Sequence, residues 1–417
     1  MNALALPQLN HEFHELHETL LFVELVKFVV RSGGTARADN VCLRLSSPQE
    51  PRPAPFTTGE RVGAAMASSE KLKHMVFPRH VLVGSNALDS LGEVVTDLEL
   101  ESPGVVVVDA TTRKLVGPRV QATLEAAGME PHFYESPGPT MKSVQAAMRV
   151  GKRVGAAWYI GAGGGSVIDV AKLAAFEHGP AFVSAPTSAS HDGICSGRAS
   201  IKETTGSVSM EAKPPAAIVA DTATIAKAPY RMLAAGCADV ISNLTAVLDW
   251  KLAHRLKAEE YSSFAAVLAR TAAEQVIENT SVIKPGIEEA CWLVVKSLVV
   301  SGVSMAVAGS SRPASGAEHL FGHAIDRLSP GPMHGETVGV GSILMMHLHG
   351  GDWEGIRTAL QELGAPTTAK QLGVPPRKVI EALTTCHTIR PERYTILGES
   401  GLTKKAAEDL CKATGVI

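Results

Sequence analysis

Ala157-Trp-Tyr-Ile-Gly161-Ala-Gly-Gly-Gly165-Ser-Val-Ile-Asp169 joins a short apolar run to a helix-forming run through a cluster of glycines. The apolar run reads as a buried strand and the residues from Ser166 onward as a helix, so the glycines form the turn between them. Glycine there lets the backbone turn tightly and come close to a ligand. The free N–H groups and dipole of the new helix favour an anion, and a pyrophosphate is the expected one. Ser166 is expected to cap the helix, with Asp169 three residues on completing a capping box. Glycine also serves in tight strand–helix turns that bind nothing, so the position between strand and helix carries the reading.

The same alternation extends on both sides of this stretch. His80–Gly84, Gly104–Val108, Pro131–Tyr134 and Ala181–Ser184 read as strands. Thr111–Ala127, Val144–Val154 and Val167–Phe176 read as helices between them, which is the pattern of a parallel, doubly wound sheet. After about Asp221 strand signals fade and long apolar helices take over, at Ala235–Leu256, Ser262–Ile277 and Ile287–Ala308. The expected fold is therefore an α/β Rossmann-like domain over 76–220 and an all-α domain over 221–417, with the active cleft between them. Residues 1–75 carry Gly33-Gly34 and Pro51-Arg-Pro-Ala-Pro55 and are expected to be a flexible extension or an over-long gene start. His11, His14 and His17 lie there, but a spacing of i, i+3, i+6 fans them around a helix, so they are not expected to converge on a metal.

With 39 Lys and Arg against 42 Asp and Glu, the chain has no basic excess of the kind a nucleic-acid binder needs. The six cysteines are scattered without a C-x-x-C pair, which suits reduced thiols in a cytoplasmic protein. The apolar run Leu20–Val30 is broken by Glu24 and Lys27, so no membrane span is expected.

Asp109 follows the Gly104–Val108 strand, where a carboxylate can accept from an adenosine ribose and repel a 2′-phosphate, favouring NAD over NADP. It can equally be a plain helix N-cap for Thr111 onward. His319 and His323 lie at i, i+4 on one helix face, His334 opens Met333-His-Gly-Glu336, and Asp239 sits near the expected start of its helix. A carboxylate at a helix start is favourable by itself. Two histidines and a carboxylate with an open position are also what a catalytic zinc uses. Nucleotide turn and metal set together point to a metal-assisted dehydrogenase.

Gly163-Gly-Gly-Ser-Val-Ile-Asp-Val-Ala-Lys172, Pro186-Thr-Ser-Ala-Ser-His-Asp-Gly193, Asp239-Val-Ile-Ser-Asn243 with Asp249-Trp-Lys251, Gly309-Ser-Ser-Arg-Pro-Ala-Ser-Gly-Ala-Glu-His319 and Met333-His-Gly-Glu336 together resemble the sn-glycerol-1-phosphate dehydrogenase family. That family belongs to the iron-containing alcohol dehydrogenase and dehydroquinate synthase superfamily, and the likeness runs from about Pro78 to the C-terminus. The resemblance implies reduction of dihydroxyacetone phosphate to sn-glycerol 1-phosphate for ether phospholipids of the archaeal type. It further implies one Zn2+ per subunit and NAD or NADP as cofactor. Gly163, Gly164, Gly165, Ser166, Val167 and Asp169 would hold the cofactor, with Thr187, Ser188, Ala189, Ser190 and Ser196 further along it. Asp239, His319 and His334 would bind zinc, while Asp192, Asp239 and His323 would face the substrate. His323, of a residue type with an unperturbed pKa near about 6.5, is the expected proton relay. Arg198 and Arg312 are the candidates for the substrate phosphate, and either can instead be a packing or surface arginine. A homo-oligomer is expected. The rival readings are a glycerol or polyol dehydrogenase of the same fold, a dehydroquinate synthase-like lyase, and a non-catalytic binding module.

Overall fold

The computed structural model describes residues 75–203 and 206–417, so the expectations for the N-terminal extension and its histidines lie outside the described residues, Met75 apart. Strands β1 (His80–Gly84), β2 (Gly104–Val108), β3 (Pro131–Glu135), β4 (Trp158–Gly163), β5 (Ala181–Pro186) and β8 (Ala217–Asp221) form one sheet in the order β1-β8-β5-β4-β2-β3. Every pair in it is parallel. The alternating strand geometry sorts the side chains: Val106, Val108, Trp158 and Ile160 go to one face, Val105, Val107 and Tyr159 to the other. Helices α1 (Leu91–Asp97), α2 (Ala110–Leu115) and α3 (Gly117–Ala126) precede β3. Leu91, Val94, Val120 and Leu124 of α1 and α3 pack on the Trp158 face. Helices α4 (Met141–Val154) and α5 (Gly165–His178) cover the other. Burial on both faces is why these strands are continuous apolar runs.

The chain steps outward from β2 to the edge strand β3, then returns to β4 on the other side of β2. The order therefore reverses between β2 and β4, and a crevice opens beyond their carboxyl ends, where doubly wound sheets take their ligands.

Helices α6 (Tyr230–Ile241), α7 (Asn243–Lys257), α8 (Ser263–Glu278), α9 (Glu288–Ala308), α10 (Ala317–Leu328), α11 (His334–Leu348), α12 (Trp353–Glu362), α13 (Pro376–Thr385) and α14 (Lys404–Ala413) build the rest, with single helical turns between some of them. Two stretches, Tyr230–Lys257 and Glu288–Ala308, are long and apolar enough to cross a membrane. In their apolar 18-residue windows 83% and 61% is buried inside the protein, as in core helices.

Several expectations need correction. The Thr111–Ala127 segment is two helices, because Pro118 has no N–H to continue the ladder at the Val116–Gly117 junction. Strand β8 and the antiparallel hairpin β6 (Arg198–Glu203) and β7 (Gly206–Glu211) were not expected. The helix expected over Ala235–Leu256 starts at Tyr230 and breaks at Ser242, whose hydroxyl donates to the Asp239 carbonyl at 2.6 Å. Asp239 thus lies in the last turn of α6. There the helix dipole opposes a carboxylate, so helix-start electrostatics do not explain it.

Candidate functional site

The glycine turn and Asp109 end β4 and β2, the two strands that flank the crevice. Gly164, in extended conformation, is the N-cap of α5 and no side chain caps it. This corrects the expected Ser166–Asp169 capping box: the helix begins at Gly165, so Ser166 falls inside its first turn. A 14-residue helix therefore points an uncapped N-terminus into the crevice. A Cβ on Gly165 would lie 1.8 Å from His191 Nε2, so a larger residue there would force the imidazole or the turn to shift. Val167 is buried just beyond. Thr187 donates its N–H to the Gly163 carbonyl at 3.0 Å, which aligns Thr187, Ser188, Ala189 and Ser190 alongside the turn. Asp109 caps α2, its Oδ1 accepting from the N–H groups of Thr111 and Thr112 at 2.9 and 2.8 Å.

Asp169 points into the core of the cleft and faces the buried ammonium of Lys172 at 3.6 Å. Burial lowers the pKa of Lys172, and the charge of Asp169 opposes that. The ammonium donates to the carbonyls of Gly193 (2.5 Å) and Arg198 (2.6 Å). It thereby ties the helix that begins at the glycine turn to the segment carrying Asp192, Ser196 and Arg198.

The second cluster draws on three helices. Asp239 of α6, His319 of α10 and His334 of α11 place one ligand atom each within 4.8 Å of one another. Asp239 Oδ1 is 3.6 Å from His319 Nε2 and 3.7 Å from His334 Nε2. It is buried and has no hydrogen-bond partner, although a buried carboxylate oxygen without one is costly. Asp239 Oδ2 accepts the main-chain N–H of Asp192 at 2.9 Å. His319 donates Nδ1–H to Glu318 Oε1 at 3.0 Å, which turns Nε2 toward the cluster. Glu318 is itself fixed by Gly316 N–H and Thr245 Oγ1 at 2.5 and 2.9 Å. A carboxylate behind a ligating histidine is the usual way of orienting it. His334 opens α11, and Glu336 holds that end by accepting from Met333 N–H at 2.8 Å and from Arg231 through two bonds.

Electrostatics follow from burial. For His319 desolvation is outweighed by the Glu318 hydrogen bond and nearby carboxylates, so its pKa rises. Burial, then the charge of His319, pushes His323 down to about 3; His334 keeps 40% of its side chain exposed, yet desolvation among its neighbours and then the charge of His319 push it well down too. Both are neutral near pH 7 with ring lone pairs to offer. The site thus takes His323 below the unperturbed value of its residue type. Burial, then the neighbouring Asp239 carboxylate, lifts Asp192 up to about 7, and its Oδ2 accepts from Ser301 Oγ at 3.1 Å.

Asp169, Asp192, Ser196, Arg198, His319, His323 and His334 all line one cavity. Arg312 does not: its guanidinium is bound by both oxygens of Glu259 and by the Tyr394 carbonyl. His191, Glu318, Ser301 and Arg390 were not among the expected site residues. His191 and Arg390 line the cavity, and Glu318 and Ser301 hold groups that do. His191 stood inside a quoted motif, and Glu318 directly precedes an expected ligand, so both had a local signal.

The sheet with its glycine turn at the switch point and the two-histidine, one-carboxylate cluster among the helices define a protein of the iron-containing alcohol dehydrogenase class. The profile described as Iron-containing alcohol dehydrogenase matches residues 82–229. Solved structures agree in fold. A probable glycerol dehydrogenase from Sinorhizobium meliloti superposes with a TM-score of 0.68 at 22% identity, covering 82% of this chain and 98% of that one. Glycerol dehydrogenase from Schizosaccharomyces pombe gives 0.67 at 22% identity, covering 82% and 91%. Among curated sequences, the NAD(P)+ glycerol-1-phosphate dehydrogenase of Methanosarcina acetivorans is 51% identical over 346 residues, 83% of this chain and 97% of that protein. The enzyme so named from Thermococcus kodakarensis is 49% identical over 82% of this chain and 98% of its own length. The chain belongs to the glycerol-1-phosphate dehydrogenase family.

Proposed function

We propose that this chain reduces dihydroxyacetone phosphate to sn-glycerol 1-phosphate with NAD(P)H, reversibly, and so supplies the backbone of ether phospholipids. The family membership supports the substrate. The observation that carries the chemistry is the buried, unpartnered Asp239 Oδ1 facing two imidazole nitrogens. That donor set, one carboxylate and two neutral-capable imidazoles, fits a divalent metal, and we read the ion as Zn2+, one per subunit. When bound, the metal supplies Lewis-acid polarisation of a carbonyl and the nicotinamide supplies hydride.

The chain's own residues do the rest. The uncapped N-terminus of α5, the glycines of its turn, Ser166, Val167 and the Thr187–Ser190 segment would bind and orient the cofactor. Asp109 is committed by one oxygen to capping α2, and its second oxygen is the basis for reading NAD as the favoured cofactor. Asp192 and Asp239 would position the substrate, with Ser196 lining the cleft. A proton must reach the substrate oxygen, and the buried His323 is the group we assign to relay it: being neutral, it would take up a proton on one ring nitrogen as it gives one up from the other. Lys172 keeps the Asp192–Arg198 segment in register with the cofactor helix. We further read two domains meeting near residue 220, a cytoplasmic location and a homo-oligomer.

A steady-state assay of the full chain with dihydroxyacetone phosphate and NADH, with and without added Zn2+, tests the proposal. Oxidation of NADH with the sn-1 enantiomer as sole product is expected. Formation of the sn-3 enantiomer, or turnover of glycerol but not of its phosphate, would overturn it. A phosphate-eliminating lyase would consume no NADH.

A further inference from the structure

The cavity that contains His319, His323 and His334 is also lined by Arg198, at the start of β6, and Arg390, in the segment after α13. Both side chains are half-buried. Arg198 donates Nε–H to Ser209 Oγ at 3.2 Å and one Nη to the Ser209 carbonyl at 2.8 Å, which leaves its other Nη uncommitted. The Arg390 guanidinium has no hydrogen-bond or ion-pair partner among the described residues, its backbone carbonyl accepting from Arg393 N–H at 2.9 Å. Burial, then the charge of Arg198, pushes its pKa down, with only Glu392 opposing.

Arg327, whose charge also reaches His323, is exposed to solvent, and three other nearby cations are saturated. Arg312 is held by Glu259 and Tyr394, Lys172 by two carbonyls, and Arg393 by the Ser315 carbonyl at 2.5 Å and Ser311 Oγ at 2.9 Å. Nor do the carboxylates lining the cavity neutralise the arginines, since Asp169 faces Lys172 and Asp192 accepts from Ser301. Glu211 beside Arg198 and Glu392 beside Arg390 are the opposing charges, and neither forms an ion pair with its arginine among the described residues. Two guanidiniums so weakly compensated repel one another, and burial strengthens that repulsion. A doubly charged anion with several acceptor oxygens removes it, and guanidinium forks match phosphate oxygens in pairs.

We infer that Arg390, together with Arg198, is the receptor for the phosphate group of the substrate and sets the preference for a phosphorylated over a free triose. The inference rests on the proposed reaction and replaces Arg312 as the phosphate partner. Arg393 is then a positioning residue: it clamps the Ser311–Ser315 loop beside the pair.

The test is a set of full-length variants, Arg390→Gln, Arg390→Lys and Arg312→Gln, assayed in the reductive direction with saturating NADH and Zn2+. The readout is the ratio of kcat/KM for dihydroxyacetone phosphate to that for dihydroxyacetone. Loss of a charge-assisted phosphate contact should lower this ratio about 10- to 100-fold in Arg390→Gln. Arg390→Lys, a point charge without the fork, should fall between that variant and wild type. Inorganic phosphate should inhibit the wild type competitively against dihydroxyacetone phosphate and lose that effect in Arg390→Gln. Arg312→Gln should keep the wild-type ratio, and equal melting temperatures of the Arg390 variants and wild type separate contact from folding. An unchanged ratio and unchanged phosphate inhibition in Arg390→Gln would overturn the inference while leaving the reaction standing. So would a rise in KM for NADPH without one for the triose phosphate, since the anion would then belong to the cofactor. Wild type that discriminates against the phosphorylated triose would instead remove the proposed reaction, and the inference with it.

Discussion

Glu318→Gln tests whether the buried carboxylate behind His319 tunes the metal site. In the native protein Glu318 Oε1 accepts from His319 Nδ1 and Gly316 N–H at 3.0 and 2.5 Å. Its Oε2 lies 2.9 Å from Thr245 Oγ1, which also reaches the Ser242 carbonyl at 2.8 Å. One hydroxyl proton cannot serve both acceptors fully. A glutamine keeps its oxygen on the two N–H groups and turns its NH2 to Thr245, freeing that hydroxyl to donate to Ser242 alone. The fold should therefore lose little. What goes is the negative charge that makes the imidazole a better donor, and outer partners of this kind are worth about 10- to 100-fold in metal affinity. That is about 1.4–2.7 kcal/mol. The assay is competition for Zn2+ against a chromogenic chelator, run beside a thermal melt. A weaker Kd with a melting temperature near wild type, and activity recovered at high Zn2+, is expected. Glu318→Ala should behave differently, because it strands two buried N–H groups at about 1–3 kcal/mol each and should lower the melting temperature. A glutamine variant with wild-type Zn2+ affinity would refute the assignment of His319 as a ligand oriented by Glu318.

Gly165→Ala places a methyl 1.8 Å from His191 Nε2, so the imidazole or the turn must move; KM for NADH should rise severalfold with a smaller change in Zn2+ affinity, and unchanged cofactor kinetics would sink the cradle reading. Alkaline stability offers another check. Burial pushes the thiols of Cys195, Cys386 and Cys411 up to about 12. The unfolded chain releases these protons near about pH 8.5, so between there and 12 it binds fewer protons than the folded one and stability should fall as pH rises. Denaturant melts between pH 8 and 11, with thiol alkylation of native protein at pH 8 as a control, measure this. Rapid alkylation of these thiols without unfolding would contradict it.

The sheet was legible where a strand ends in a distinctive turn. The apolar run before Gly161 and the valines of Gly104–Val108 could be read as buried strands because turn residues bound them on both sides. Ala217–Asp221 is equally apolar, yet it stands next to a long helical region, and five buried residues carry no periodicity to separate strand from helix. Strand β6 does alternate, Ala199 and Ile201 being buried between Arg198, Ser200 and Lys202, but two apolar positions, one of them alanine, make too short a pattern to read. The metal residues were readable as types and spacings, but the plain alternative for Asp239 stood only until the start of its helix was known. For the arginines local sequence was silent. Arg312 and Arg390 each precede a proline, and only the partners brought by the fold, Glu259 for one and none for the other, tell them apart.

The bond from Asp192 N–H to Asp239 Oδ2 joins the segment after the sheet strand β5 to a carboxylate of the candidate metal site far along the chain. Its donor is a peptide group, which every residue but proline supplies. The alignment it sets is therefore inherited independently of the side chain at 192. Genes for two family members could be recombined near codon 221, or residue 192 redesigned for another substrate, without losing the registration between the two parental pieces. Proline at 192 is the one replacement that would erase it.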